Sequence, residues 1–178
     1  MPMTNTIPKP LLKPIVLVGL MGVGKTTIGK RLSQRLNMPF VDADHEIELA
    51  ADLTISEIFE RYGETHFRDG ESRVILRLLD DTCKVIATGG GAFMHPVTRE
   101  NILARAIAIW IDADVKILAE RVGRRTIRPL LMNRNPIEVL TELAAIRNPI
   151  YAQAPIHVKS QPVHQDLIVD QIIEALHA

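Results

Sequence analysis

The chain has 178 residues, 47% of them hydrophobic, which is enough for one core of ordinary domain size and requires no second domain. Its 21 Lys and Arg balance 21 Asp and Glu, so there is no whole-molecule field to draw in nucleic acid or an anionic membrane, and any anion must be recognised locally. The single cysteine, Cys83, excludes an internal disulfide, fits a reducing compartment, and reads as a small buried hydrophobe near the start of a strand.

Residues 1–14 carry four prolines and lack the apolar or Arg-rich patterns of a targeting segment, so they read as a loose tail before a single domain at 15–178. No 18 consecutive residues are apolar, which excludes a helical membrane span, and the expected location is the cytoplasm. Five short β-branched runs follow: "IVLVG" at 15–19, "FVDAD" at 40–44, "KVIAT" at 84–88, "AIAIWID" at 106–112 and "IHVKS" at 156–160. Between them lie helical patterns at 25–36, 44–50, 56–79, 96–103, 114–121 and 136–152, with a last one at 165–176. This alternation predicts an α/β fold, a central five-stranded parallel sheet with helices on both faces. The runs at 15 and 106 are apolar throughout, as strands covered on both sides should be, and Trp110 falls in the core. Asn135, Pro136 and Glu138 give three agreeing signals for a helix start. Upstream of it, residues 121–135 have little amphipathic period and hold Arg121, Arg124, Arg125, Arg128 and Arg134, which reads as a cationic lid.

Gly19, Gly24, Lys25 and Thr26 satisfy G-x-x-x-x-G-K-[ST] between a predicted strand and a predicted helix, the context the chemistry of this loop needs. Glycines let backbone N–H groups turn inward on phosphates at the positive end of the following helix. Lys25 would then reach the β- and γ-phosphates, and the Thr26 hydroxyl would ligate Mg²⁺. The guanine-reading N-K-x-D motif of GTPase switches is missing, and the third strand ends in "ATGGGA" with no carboxylate, so a metal-organising acid must come from elsewhere. Asp42 and Asp44 are the candidates; two apart on an extended chain, they would point the same way at a strand's carboxyl end, where open parallel sheets bind ligands. Arg68 and Glu71, three apart on a predicted helix, either pair with one another or frame a pocket. Gly89, Gly90 and Gly91 would leave a pocket wall free of side chains.

Taken in order, "GLMGVGKTT", "FVDADHEIE", "GETHFR", "ATGGGA", "RPLL" and "RNPIYAQAP" resemble shikimate kinase from about residue 15 to the C-terminus. The resemblance implies the small P-loop kinase fold with a mobile lid, and transfer of the γ-phosphate of ATP to the 3-hydroxyl of shikimate by a monomer that binds neither nucleic acid nor membrane. It implies a nucleotide cradle of Gly22, Val23, Gly24, Lys25, Thr26 and Thr27, with Mg²⁺ organised by Thr26 and Asp42. Asp44 would hold the substrate hydroxyls and act as base. Arg68 and Arg147 would grip the carboxylate, Glu71 would orient that site, and Gly89 to Gly91 would wall it. Arg128 in "RPLL" resembles the lid arginine that closes on the γ-phosphate, and Arg121 the residue that stacks on adenine. The chemistry agrees, because a small polyhydroxy carboxylate needs planar cations for its acid and a carboxylate for its hydroxyls. Another hydroxy-acid kinase of the same fold, such as gluconate kinase, and a non-catalytic nucleotide-binding regulator are the alternatives.

Overall fold

The computed structural model describes residues 11–123 and 134–178. Strand β1 (Ile15–Val18) is wholly buried and lies at the centre of a five-stranded sheet. Around it are β2 (Phe40–Asp42), β3 (Val85–Ala87), β4 (Ile107–Asp112) and β5 (Ile156–Lys159), in the spatial order β2-β3-β1-β4-β5. All four pairings are parallel, with Val16 opposite Ile86 on one side and Ala108 on the other. The apolar sequence of β1 is therefore explained by its position, and each of its side chains contributes ~1.5–3 kcal/mol by burial.

Helix α1 (Lys25–Leu36) follows β1 through the glycine loop and packs on β3 and on α7 (Gln165–Leu176). Strand β2 stops at Asp42, whose Oδ1 accepts from the backbone N–H of Asp44 and His45 and so starts α2 (Ala43–Ala51). This corrects the expected extended run at 40–44. Asp42 is the last strand residue and a helix cap, and Asp44 lies in the first helical turn, so the two do not share a strand face.

Helix α3 (Ile55–Leu78) begins with a capping box, in which the Thr54 hydroxyl accepts from the Glu57 N–H and the Glu57 carboxylate accepts from the Thr54 N–H. The uniform helix expected at 56–79 is broken at Gly63, which has φ 82° and ψ 175°. A residue with a Cβ strongly disfavours that conformation, so the glycine makes the change of direction possible. Helix α4 (Pro96–Arg105) packs on β4 and α3, while α5 (Val115–Gly123) packs on α6 (Pro136–Tyr151). The Asn135 side chain caps α6 and Pro136 opens it, as the sequence indicates. Arg121 lies within α5, so the helix extends into the stretch read as lid, and Arg134 is tied to Glu142 at 2.7 Å. Trp110 is buried, whereas Cys83 is only half-buried, its thiol donating to the Leu11 carbonyl. Among the described residues no helix is long and apolar enough to cross a membrane.

Candidate active site

The carboxyl ends of β1, β2 and β3 open onto one cleft. Its first wall is the loop from Gly19 to Gly24, where Gly19, Gly22 and Gly24 have φ of 148°, 84° and 94°. At Gly19 a Cβ would also collide with the Ile111 carbonyl at 2.4 Å. The Lys25 ammonium donates to the carbonyls of Gly19 and Leu20 at 2.6 and 2.9 Å, holding the cation inside the loop. Gly22, Gly24, Lys25, Thr26 and Thr27 border a cavity of about 100 Å³ whose other side is formed by Asp42, Asp44 and Gly89–Gly90. Val23 points away into the core and is 1% exposed, so only its backbone can face a ligand. Thr26 Oγ1 donates to Asp42 Oδ2 at 3.0 Å, so Asp42 caps α2 with one oxygen and meets the loop hydroxyl with the other. Two hard oxygen donors side by side suit Mg²⁺, which keeps several waters and takes few protein ligands beside phosphates.

The second wall is the segment Gly89–Gly91. None of the three has a positive φ, so backbone freedom is not what calls for glycine here. The reason is close approach. A Cβ on Gly89 would lie 2.8 Å from Asp44 Oδ1, one on Gly90 3.1 Å from an Arg147 Nη, and one on Gly91 2.3 Å from an Arg68 Nη. Each missing side chain thus makes room for one charged group, and three groups far apart in sequence converge on one short segment.

Glu71 joins them. Its carboxylate accepts from Arg68 at 2.8 Å and is only 2% exposed. Burial raises its pKa; Arg68 opposes the rise and the neighbouring Asp44 adds to it. The two residues therefore pair with one another, and the paired Arg68 is the group that stands against Gly91. Arg147 is 8% exposed despite its place on a surface-type helix. Tyr151, one turn further along α6, was not singled out by the sequence reading. Its hydroxyl donates to the Gly90 carbonyl, its ring lies near Phe93 and Trp110, and burial pushes its pKa up to about 12. Four residues after Arg147, it shares that helix face, which is the signal that could have found it.

Arg121 reaches across from α5 and donates to the carbonyls of Gly22 and Val23 at 3.2 and 3.5 Å, beside the phosphate loop. Arg128, the expected lid arginine, lies outside the described residues, as do Arg124 and Arg125.

A parallel sheet of this order, a phosphate loop feeding α1, and an adjoining pocket with two arginines and two carboxylates define a P-loop phosphotransferase for a small anionic acceptor. A family model described as shikimate kinase matches residues 21–177. The chain is 55% identical over 166 residues to a shikimate kinase of Bradyrhizobium diazoefficiens, covering 93% of this chain and 80% of that one. It is 54% identical over 168 residues to a shikimate kinase of Novosphingobium aromaticivorans, covering 92% and 87%. Shikimate kinase from Acinetobacter baumannii in complex with shikimate, a solved structure, superposes with a TM-score of 0.88 at 36% identity and 93% coverage of both chains. The chain belongs to the shikimate kinase family.

Proposed function

We propose that this chain transfers the γ-phosphate of ATP to the 3-hydroxyl of shikimate, giving shikimate 3-phosphate and ADP. The observation that carries this reading is the placement of Asp44, Arg147 and Arg68, one against each of Gly89, Gly90 and Gly91, beside the loop that cradles phosphate. Two guanidinium groups for a carboxylate and one carboxylate for hydroxyls is the donor set that a cyclic hydroxy acid needs.

In this reading the substrate carboxylate sits between Arg68 and Arg147, with Glu71 holding the Arg68 guanidinium in orientation. Asp44 takes the 3-hydroxyl proton as that oxygen bonds to the γ-phosphorus, and the electron pair of the breaking bond leaves on the β-phosphate oxygen. Lys25 turns from its loop carbonyls to the phosphates, where it and Arg128 neutralise charge on the transferring group. Thr26 and Asp42 would hold Mg²⁺, which when bound neutralises phosphate charge. Gly22, Val23, Gly24 and Thr27 complete the cradle through backbone N–H groups, and Arg121 borders the adenine side. The lid at about 121–135 excludes water on closure, and the enzyme acts as a monomer in a single domain at 15–178.

The test is coupled ADP release from ATP and Mg²⁺ with shikimate, quinate or gluconate as acceptor, repeated on Asp44→Asn. Release that depends on shikimate and is lost in Asp44→Asn with ATP binding kept is the expected result. Turnover with gluconate alone, or undiminished turnover in Asp44→Asn, overturns the reading or the role of Asp44 respectively.

A further inference from the structure

A larger groove of about 420 Å³ runs between α2 and α3. Its floor is apolar: Ile47, Ile58, Phe67 and Val74 are each less than 9% exposed. Its charged lining is of one sign. His66, Arg73 and Arg77 line it, and none of its lining residues is acidic. In a chain of zero net charge this is a local segregation of cations. Arg73 and Arg77 are one helical turn apart on α3, and both line the groove. Among the described residues Arg73 makes no ion pair and its Nε donates to the Asp69 carbonyl, while Arg77 meets Glu46 of α2 only at 3.5 Å.

Gly70 adds an independent sign. It lies inside α3 and lines this groove, and a Cβ built on it would meet no heavy atom within 4 Å. Glycine in a helix interior costs roughly 0.5–1 kcal/mol relative to alanine. Neither packing nor a positive φ calls for it here. The missing side chain leaves open space on the face of α3 that lines the groove.

We propose that this groove is a second ligand site, for a small aromatic carboxylate whose ring lies on Phe67 and the aliphatic floor and whose acid is held by Arg73 and Arg77. An apolar floor with a few convergent polar groups is the usual build of a small-molecule pocket, and its volume suits a single-ring ligand. Paired guanidinium groups select a carboxylate over a neutral group of the same shape. The site is placed to influence the first one. Phe67 and Gly70 of the groove alternate along α3 with Arg68 and Glu71 of the cleft, and α2, the opposite wall, carries Asp44 in its first turn. An occupant that shifts α2 against α3 changes affinity for the cleft's acceptor, and the coupling is reciprocal.

The test uses 3-phenylpropionate as probe, with 3-phenylpropan-1-ol as its uncharged counterpart, titrated into the full chain by calorimetry and by NMR, with and without saturating shikimate. Saturable binding of the acid at a millimolar Kd or tighter is expected, persisting when shikimate is present, with the alcohol at least ~10-fold weaker. Gly70→Leu, which fills the groove, and Arg73→Gln/Arg77→Gln, which removes its cations without touching the floor, are each expected to weaken the acid ~10-fold or more while the melting temperature holds. Should one variant fail to fold, the other decides. Absence of binding to the wild-type chain overturns the proposal. So does binding whose apparent Kd rises without limit as shikimate is raised, or that a folded variant retains, since the acid would then lie in the cleft or elsewhere outside this groove.

Discussion

Replacing Gly91 with alanine adds one methyl group at a point where the backbone tolerates it, because φ −96° and ψ −7° are open to any residue. The methyl would stand 2.3 Å from one Arg68 Nη, 2.5 Å from Cζ and 2.6 Å from the other Nη. Ordinary contact begins near 3.4 Å, so the guanidinium must retreat by about 1 Å. That is enough to break the 2.8 Å bond to Glu71 and to misplace the fork proposed to meet substrate. A charge-assisted hydrogen bond contributes about 1.5–3 kcal/mol, so shikimate KM is expected to rise ~10–100-fold while ATP KM stays where it was. Glu71, 2% exposed, would lose its counter-ion, and the melting temperature should fall by several degrees. Coupled ADP release at varied shikimate and then at varied ATP separates the two constants. Arg68→Ala alone and combined with Gly91→Ala closes a double-mutant cycle. If the methyl acts through Arg68, the second substitution adds little to the first; full additivity, or a rise in ATP KM instead, refutes the close-approach argument.

Arg147→Lys keeps the charge but loses the planar fork, and is expected to raise shikimate KM about tenfold with kcat nearly unchanged, measured in the same assay. Glu71 has a folded-state pKa raised above the ordinary 4.5, so the folded chain holds this proton more tightly than the unfolded one. The resulting stability is present below pH 4.5 and is lost as pH rises from there through the raised value; urea titrations from pH 4 upward should show a smaller decline in Glu71→Gln. Arg128→Ala, which removes a cation proposed to act on charge developing in transfer, is expected to lower kcat ~10³-fold with little change in ATP binding. Unchanged turnover would remove Arg128 from the mechanism.

What could be read from the sequence was what local chemistry dictates. The phosphate loop is legible because Gly19 and Gly24 must take backbone conformations closed to other residues, and Lys25 must follow them. The strands are legible because β1 and β4 are buried on both faces and so lose their alternation. Asp42 and Asp44 were misplaced because a period of two was carried past the end of a strand. The Asp42 carboxylate terminates that strand by capping the next helix, an outcome that competes with extension wherever Asp stands at a boundary. The break at Gly63 was missed for a related reason, since an isolated glycine in a helical pattern reads as tolerated unless the positive φ is known.

The acceptor pocket was only half legible, and burial explains which half. "GGG" announces that side chains are missing but not what fills their places, because Asp44, Arg68 and Arg147 arrive from α2, α3 and α6. A guanidinium 8% exposed is stable only where its environment compensates for lost water, and the sequence around Arg147 contains only part of that environment. Glu71 lies near enough to act on Arg147 electrostatically, and Tyr151 shares its face of α6. Gly90 supplies both the space beside Arg147 and the carbonyl that orders the Tyr151 hydroxyl. The same segment therefore gives way to one charged group and anchors the residue that packs beside it, so alanine at Gly90 would disturb the position of Arg147 and the ordering of Tyr151 together.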